Sequence, residues 1–142
     1  MKKFCSMMLV LVLVLSMAVS VSAATDQFVY DEAGLLTAQE AADLSGRLSG
    51  LSSTYNAQIV VITIPSAGGN DPDAIVEYFY DNMGFGYGEN LDGVLLLVCM
   101  DPREYRILSN GYAGNAIDPG VIDTIGDAIV SDLSDGNYAD AF

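Results

Sequence analysis

The chain has 142 residues, about the size of one ordinary domain, and 51% of them are hydrophobic, so a sizeable core can form and wholesale disorder is excluded. Its 5 basic and 19 acidic residues give a formal net charge of -14, and with Lys2 and Lys3 at the extreme N-terminus only Arg47, Arg103 and Arg106 stand against all 19 carboxylates. This excludes nucleic-acid binding, which needs Lys and Arg to displace counterions, while the absence of His from the sequence excludes Ser-His-Asp chemistry and His-ligated zinc.

Residues Met1 to Ala24 combine a basic start, an apolar run from Met7 to Val19 and the small residues Ser22, Ala23 and Ala24. That is the build of a secretory signal peptide, with cleavage expected after Ala23 or Ala24. Cys5 leaves with it, so Cys99 is the single thiol expected in the mature chain, where no intramolecular disulfide can form and a buried small hydrophobe is the expected role. The product would be secreted or held on the extracytoplasmic face of the cell envelope. The remainder, 25–142, reads as one domain and contains no apolar run long enough to predict a membrane span.

Thr37-Ala38-Gln39-Glu40 has the form of a capping box, and Leu44, Leu48, Leu51 and Tyr55 continue one apolar stripe, which predicts a helix to about Tyr55. Ala57 to Ile64 is β-branched and barely alternates, as a strand covered on both faces does. Asp71-Pro72 then supplies an N-cap and a first-turn proline for a helix burying Ile75, Val76, Phe79 and Met83. Gly84-Phe85-Gly86-Tyr87-Gly88 ends it and reads as a mobile connection with exposed aromatics. A phosphate-cradling loop would instead follow a strand and open a helix.

Gly93 to Met100 is a second continuous apolar strand, so strand, helix, strand implies a parallel crossover. Asp101-Pro102-Arg103-Glu104 suits a type I turn, and Tyr105 to Ser109 should return as an antiparallel hairpin partner. Asp118-Pro119 repeats the N-cap and proline signal for a last helix with Ile122, Ile125, Ile129 and Leu133 inward, ending near Gly136. The expected fold is a three-layer α/β/α sandwich with a mixed, mainly parallel central sheet and a hairpin strand on its C-terminal side.

Several of these segments resemble the TPM domain family in the same order. They are Tyr30-Asp31-Glu32-Ala33-Gly34-Leu35-Leu36 before the first helix, Asn56-Ala57-Gln58-Ile59-Val60-Val61, and Asn90-Leu91-Asp92-Gly93-Val94-Leu95-Leu96. Asp101-Pro102-Arg103-Glu104-Tyr105 is similar to that family's Asp-Asp-Arg turn, and Gly111-Tyr112-Ala113 with Asp118 to its hairpin end and final helix cap. The family includes a thylakoid-lumen acid phosphatase and a photosystem II repair protein beside many exported bacterial proteins, so the resemblance implies hydrolysis of phosphate monoesters. Pro102 stands where the family has a second aspartate, which removes one candidate metal ligand. The family also continues its last helix beyond the point where this sequence stops at Phe142, often with a membrane span and a glycine-rich tail.

Asp31, Asp101 and Asp118, with Asp92 as a fourth member, are expected in loops that gather at one edge of the sheet, where α/β folds bind ligands. Carboxylates brought together repel unless a hard cation sits among them, which suggests Ca²⁺ or Mg²⁺. Local backbone roles explain the same residues: Asp31 and Asp101 as turn formers and Asp118 as a helix cap. Arg103 beside Asp101 either clamps an anionic ligand or neutralises a neighbouring carboxylate, the second favoured by how little positive charge the chain holds. Arg106 is expected to cover strand surface with its stem, and Asp123 and Asp127 to lie on a solvated helix face. In the enzymatic reading Asp101 and Arg103 are the catalytic pair, with a metal activating water and Arg103 stabilising the transferring group. The alternative is a non-catalytic, calcium-dependent module that binds an envelope or membrane protein.

Overall fold

A computed structural model describes residues 27–142; the expected signal segment lies outside the described residues. Strand β1 (Val29–Asp31) is followed by α1 (Ala38–Tyr55), β2 (Gln58–Ile64), α2 (Pro72–Met83), β3 (Gly93–Cys99) and β4 (Glu104–Asn110). Three further helices complete the chain: α3 (Gly111–Ala116), α4 (Pro119–Asp135) and α5 (Tyr138–Ala141). The sheet order is β1-β2-β3-β4, parallel from β1 to β3 and antiparallel from β3 to β4. This is the expected mixed α/β architecture.

The capping box forms as the sequence predicts. Glu40 N–H donates to Thr37 Oγ1 at 3.3 Å and Thr37 N–H to Glu40 Oε2 at 2.7 Å, satisfying two orphan donors of α1. Asp71 accepts from Asp73 N–H at 3.0 Å and Asp118 from Val121 N–H at 3.0 Å, so both Asp-Pro pairs start helices.

Alternation along the strands divides the core in two. Val60, Ile62 and Ile64 of β2 with Leu95 and Leu97 of β3 face Val76 and Tyr80 of α2. Val61 and Ile59 with Leu96 face Leu44 and Leu48 of α1 on the other side. Helix α4 packs on this second side, where Gly126 lets Tyr105 of β4 press against the helix backbone. Sheet strands buried from both sides explain why β2 and β3 read as unbroken apolar runs.

Several expectations are corrected. The α1 stripe turns outward after Leu48: Leu51 is 45% and Tyr55 69% exposed, while Ser52 is fully buried because its Oγ accepts from Ile59 N–H at 2.9 Å. Met83 and Ile125 are exposed as well, at the end of α2 and on the outer side of α4, with Tyr80 and Gly126 buried instead. The glycine loop is anchored: Phe85 is 3% exposed, packs edge-on to Tyr30 and Tyr80, and the next amide, Gly86 N–H, donates to Gln58 Oε1 at 2.8 Å. The turn between β3 and β4 forms with a cis Asp101–Pro102 peptide. Cys99 is buried as expected, its Sγ donating to Asp101 O.

Candidate functional site

The position of each candidate aspartate follows from strand direction. Asp31 ends β1, and Asp101 follows β3, so both lie at the carboxyl edge of the parallel strands. Strand β4 runs back, pairing Cys99 with Glu104 at that edge and Gly93 with Asn110 at the other. Asp92, just before β3, and Asp118, after α3, therefore lie toward the opposite edge. Ile117, the residue before Asp118, lines a cleft with Ala57 and Asp92 at that opposite edge. The four aspartates expected at one edge are thus divided into two pairs.

Local hydrogen bonds engage these carboxylates to different extents. Asp31 accepts from Leu35 N–H at 3.0 Å, Leu36 N–H at 2.8 Å and the Thr63 hydroxyl. Burial pushes its carboxyl up, but these hydrogen bonds outweigh it and hold the group below the usual carboxylate range. Asp101 is exposed, and its carboxylate meets Ser66 Oγ at a long 3.5 Å while its carbonyl accepts from Ala67 N–H at 2.8 Å. Two strand spacings, about 10 Å, separate β1 from β3, and Asp101 lies three residues beyond Val98, the position in register with Asp31.

At the opposite edge, Asp92 Oδ1 accepts from Tyr112 N–H at the start of α3. Gly111 there has φ 64° and leaves no room for a Cβ, which would overlap Asp92 Oδ1, so only glycine admits this turn. Among the described residues no three Asp, Glu or Cys side chains are grouped to hold a metal ion. A single ion shared by Asp31, Asp92, Asp101 and Asp118 does not fit this arrangement.

The arginines also differ from expectation. Arg106, not Arg103, neutralises carboxylates, with Nε 2.6 Å from Asp73 Oδ1 on α2 and Nη2 2.9 Å from Glu104 Oε2. Arg103 is exposed on the turn with no ion pair among the described residues. It sits at the rim of a cleft of about 540 Å³ whose walls are Val98, Tyr105 and Ile107 of the hairpin and Ile122 and Leu133 of α4. Asp123 and Asp127 are exposed on α4, as expected.

A second cleft, of about 440 Å³, was not anticipated. Ala57, Ile59 and Val94 form its floor, Ala113 and Ile117 of the α3 region one wall, and Tyr55 and Tyr112 its flanks, with Asp92 at the side. The apolar periodicity puts Tyr55 on the buried stripe of α1, and Gly111-Tyr112-Ala113 reads as a hairpin end. The only available signal was the odd placement of a tyrosine beside each helix end. The same Asp92 charge, second to burial, helps push the nearby Tyr80 phenol up to about 12. Both clefts open on the sheet face that carries α1 and α4, since Ile59 and Val94 share the side of Leu96, and Val98, Tyr105 and Ile107 continue it.

Comparison with known proteins gives a consistent picture. The family model described as the TPM domain matches residues 29–142. The UPF0603 protein YdjH of Bacillus subtilis is 32% identical over 116 residues, which are 82% of this chain and 44% of that protein, so the chain spans less than half the length of this relative. The N-terminal domain of a protein from P. gingivalis superposes with a TM-score of 0.74 at 28% identity, covering 84% of this chain and 76% of that one. The N-terminal domain of a Corynebacterium glutamicum protein shares the fold, with a TM-score of 0.64 at 18% identity over 87% of this chain and 77% of that one.

Proposed function

The chain belongs to the TPM domain family, and on that premise we propose that it is an exported binding module that docks a protein of the cell envelope on the sheet face carrying α1 and α4. Export rests on the signal-like composition of Met1 to Ala24. The observation that carries the binding reading is the pair of clefts opening on that one face, with the exposed Val130 of α4 lining the larger. Apolar surface of this kind, rimmed by polar groups, is characteristic of interaction sites. Calcium does not enter as a shared bridge of the four aspartates, because they stand at two edges.

A photo-reactive side chain at Val130, beside the larger cleft, tests this against one at Glu77 on the opposite face. The expected result is a discrete adduct with an envelope protein from position 130 alone. No adduct there, or equal adducts from both positions, would contradict the reading.

One observation favours a second reading: Arg103 has no carboxylate partner among the described residues and is free to meet phosphate oxygens beside Asp101. The binding reading predicts that the protein, Asp101→Asn and Arg103→Ala, purified identically, hydrolyse a simple aryl phosphate at the same background rate. A selective loss in both variants, with folding intact, would move the function to phosphate-monoester hydrolysis at this turn.

A further inference from the structure

Resting on the binding-module reading, we infer that the cleft between the C-terminal end of α1 and α3 receives an arginine side chain from a basic segment of the partner protein. Its volume of about 440 Å³ lies within the range of ligand pockets, and its floor of Ala57, Ile59 and Val94 suits the aliphatic stem of a long side chain. Tyr55 and Tyr112 flank it and are 69% and 75% exposed, so each presents a ring that no aromatic neighbour covers among the described residues. Exposed tyrosines at a cleft mouth offer the negative π faces on which a guanidinium stacks.

Asp92 supplies the charge. Its Oδ1 is engaged by Tyr112 N–H, while its Oδ2 accepts no hydrogen bond among the described residues and remains open to a charge-assisted donor. The rest of the surface reinforces the choice of a cation, since three arginines stand against 19 carboxylates after Lys3, and no arginine lines this cleft. An anionic occupant would be repelled by Asp92, and a neutral apolar one would bury the Asp92 charge unpaired. The larger cleft differs in kind, because Arg103 and Arg106 both line it.

The experiment titrates the protein with an acetylated, amidated peptide of sequence Val-Arg-Leu, and with its citrulline counterpart, at physiological salt, read by backbone amide shifts and affinity. The expected result is one saturable curve shared by the amides of Val94, Tyr112, Ala113 and Ile117, with citrulline weakening binding about tenfold or more through loss of the charged hydrogen bond. Tyr55→Ala, an exposed position whose change leaves the fold intact, should weaken the arginine peptide about three- to tenfold. Asp92→Asn keeps an oxygen for Tyr112 N–H and should bring the arginine and citrulline peptides to nearly equal affinity. Shifts spread along the acidic helices, or an affinity indifferent to Tyr55→Ala, would overturn the assignment. Because the peptide is tested with no partner present and position 130 lies at the other cleft, this inference and the docking reading fail separately.

Discussion

Asp31 shows how a residue that looks like a metal ligand is committed to the backbone. Its two oxygens take Leu35 N–H, Leu36 N–H and the Thr63 hydroxyl, tying the end of β1 to the entry of α1 and to β2. Because its folded pKa is held below the value of 3.8 that an unperturbed carboxyl has, its contribution to stability is full above that value and is lost as pH falls through the lower folded pKa. Asp31→Ala should cost about 1 kcal/mol at neutral pH, the usual loss for a side-chain cap. Chemical denaturation at a series of pH values should find the gap between the protein and this variant closing below about pH 4. A constant gap down to the most acidic point would show that Asp31 does not titrate with folding.

The arginines make the same point in reverse. Sequence spacing placed Arg103 beside Asp101 and left Arg106 on a strand, yet Arg106 reaches Asp73, 33 positions away, because α2 lies across β4. The Asp73 contact was not legible, since it depends on which face of the sheet α2 covers, whereas Glu104 shares the strand face of Arg106 two residues away.

At the scale of elements, the long segments were legible and the short ones were not. One capping box, two Asp-Pro starts and the apolar runs located α1, α2, α4, β2, β3 and β4. Strand β1 has three residues and α5 four, too few to show any period, and α3 begins on a glycine with no side-chain cap. The α1 stripe failed at its end because Ser52, held by Ile59 N–H of β2, takes the inward position one turn after Leu48 and leaves Leu51 and Tyr55 on the surface.

Two helix glycines separate local propensity from packing. Gly46 of α1 has nothing within 4 Å of where a Cβ would stand, so Gly46→Ala should gain up to about 1 kcal/mol through reduced backbone entropy alone. At Gly126 of α4 a Cβ would collide with the Tyr105 hydroxyl and lie 2.8 Å from its Cζ. Gly126→Ala should therefore lose about 1–3 kcal/mol by overpacking. Thermal unfolding of both variants decides it, and a stabilised Gly126→Ala would mean that α4 does not sit on Tyr105.

For the whole molecule, the direction of one strand decides the distribution of charge. Had β4 run parallel to β3, the loop bearing Asp118 would have emerged beside Asp31 and Asp101; running back, it carries Asp118 toward the edge that holds Asp92. The antiparallel hairpin was readable from the turn at Asp101-Pro102, but its consequence for the aspartates requires the register. The hairpin also leaves room beside α4 and α3 for the two clefts, which no spacing in the sequence reveals because their walls come from seven separate elements.

A Ca²⁺ titration followed through backbone amide shifts tests this division of the carboxylates most directly. The two edges are separated by seven-residue strands, a distance of about 20 Å that no single ion can bridge. Any shifts near Asp31 and Asp101 should follow a different curve from those near Asp92 and Asp118, and Asp118→Asn should leave the response around Asp101 unchanged. One common curve for all four aspartates, lost together in Asp118→Asn, would contradict the account.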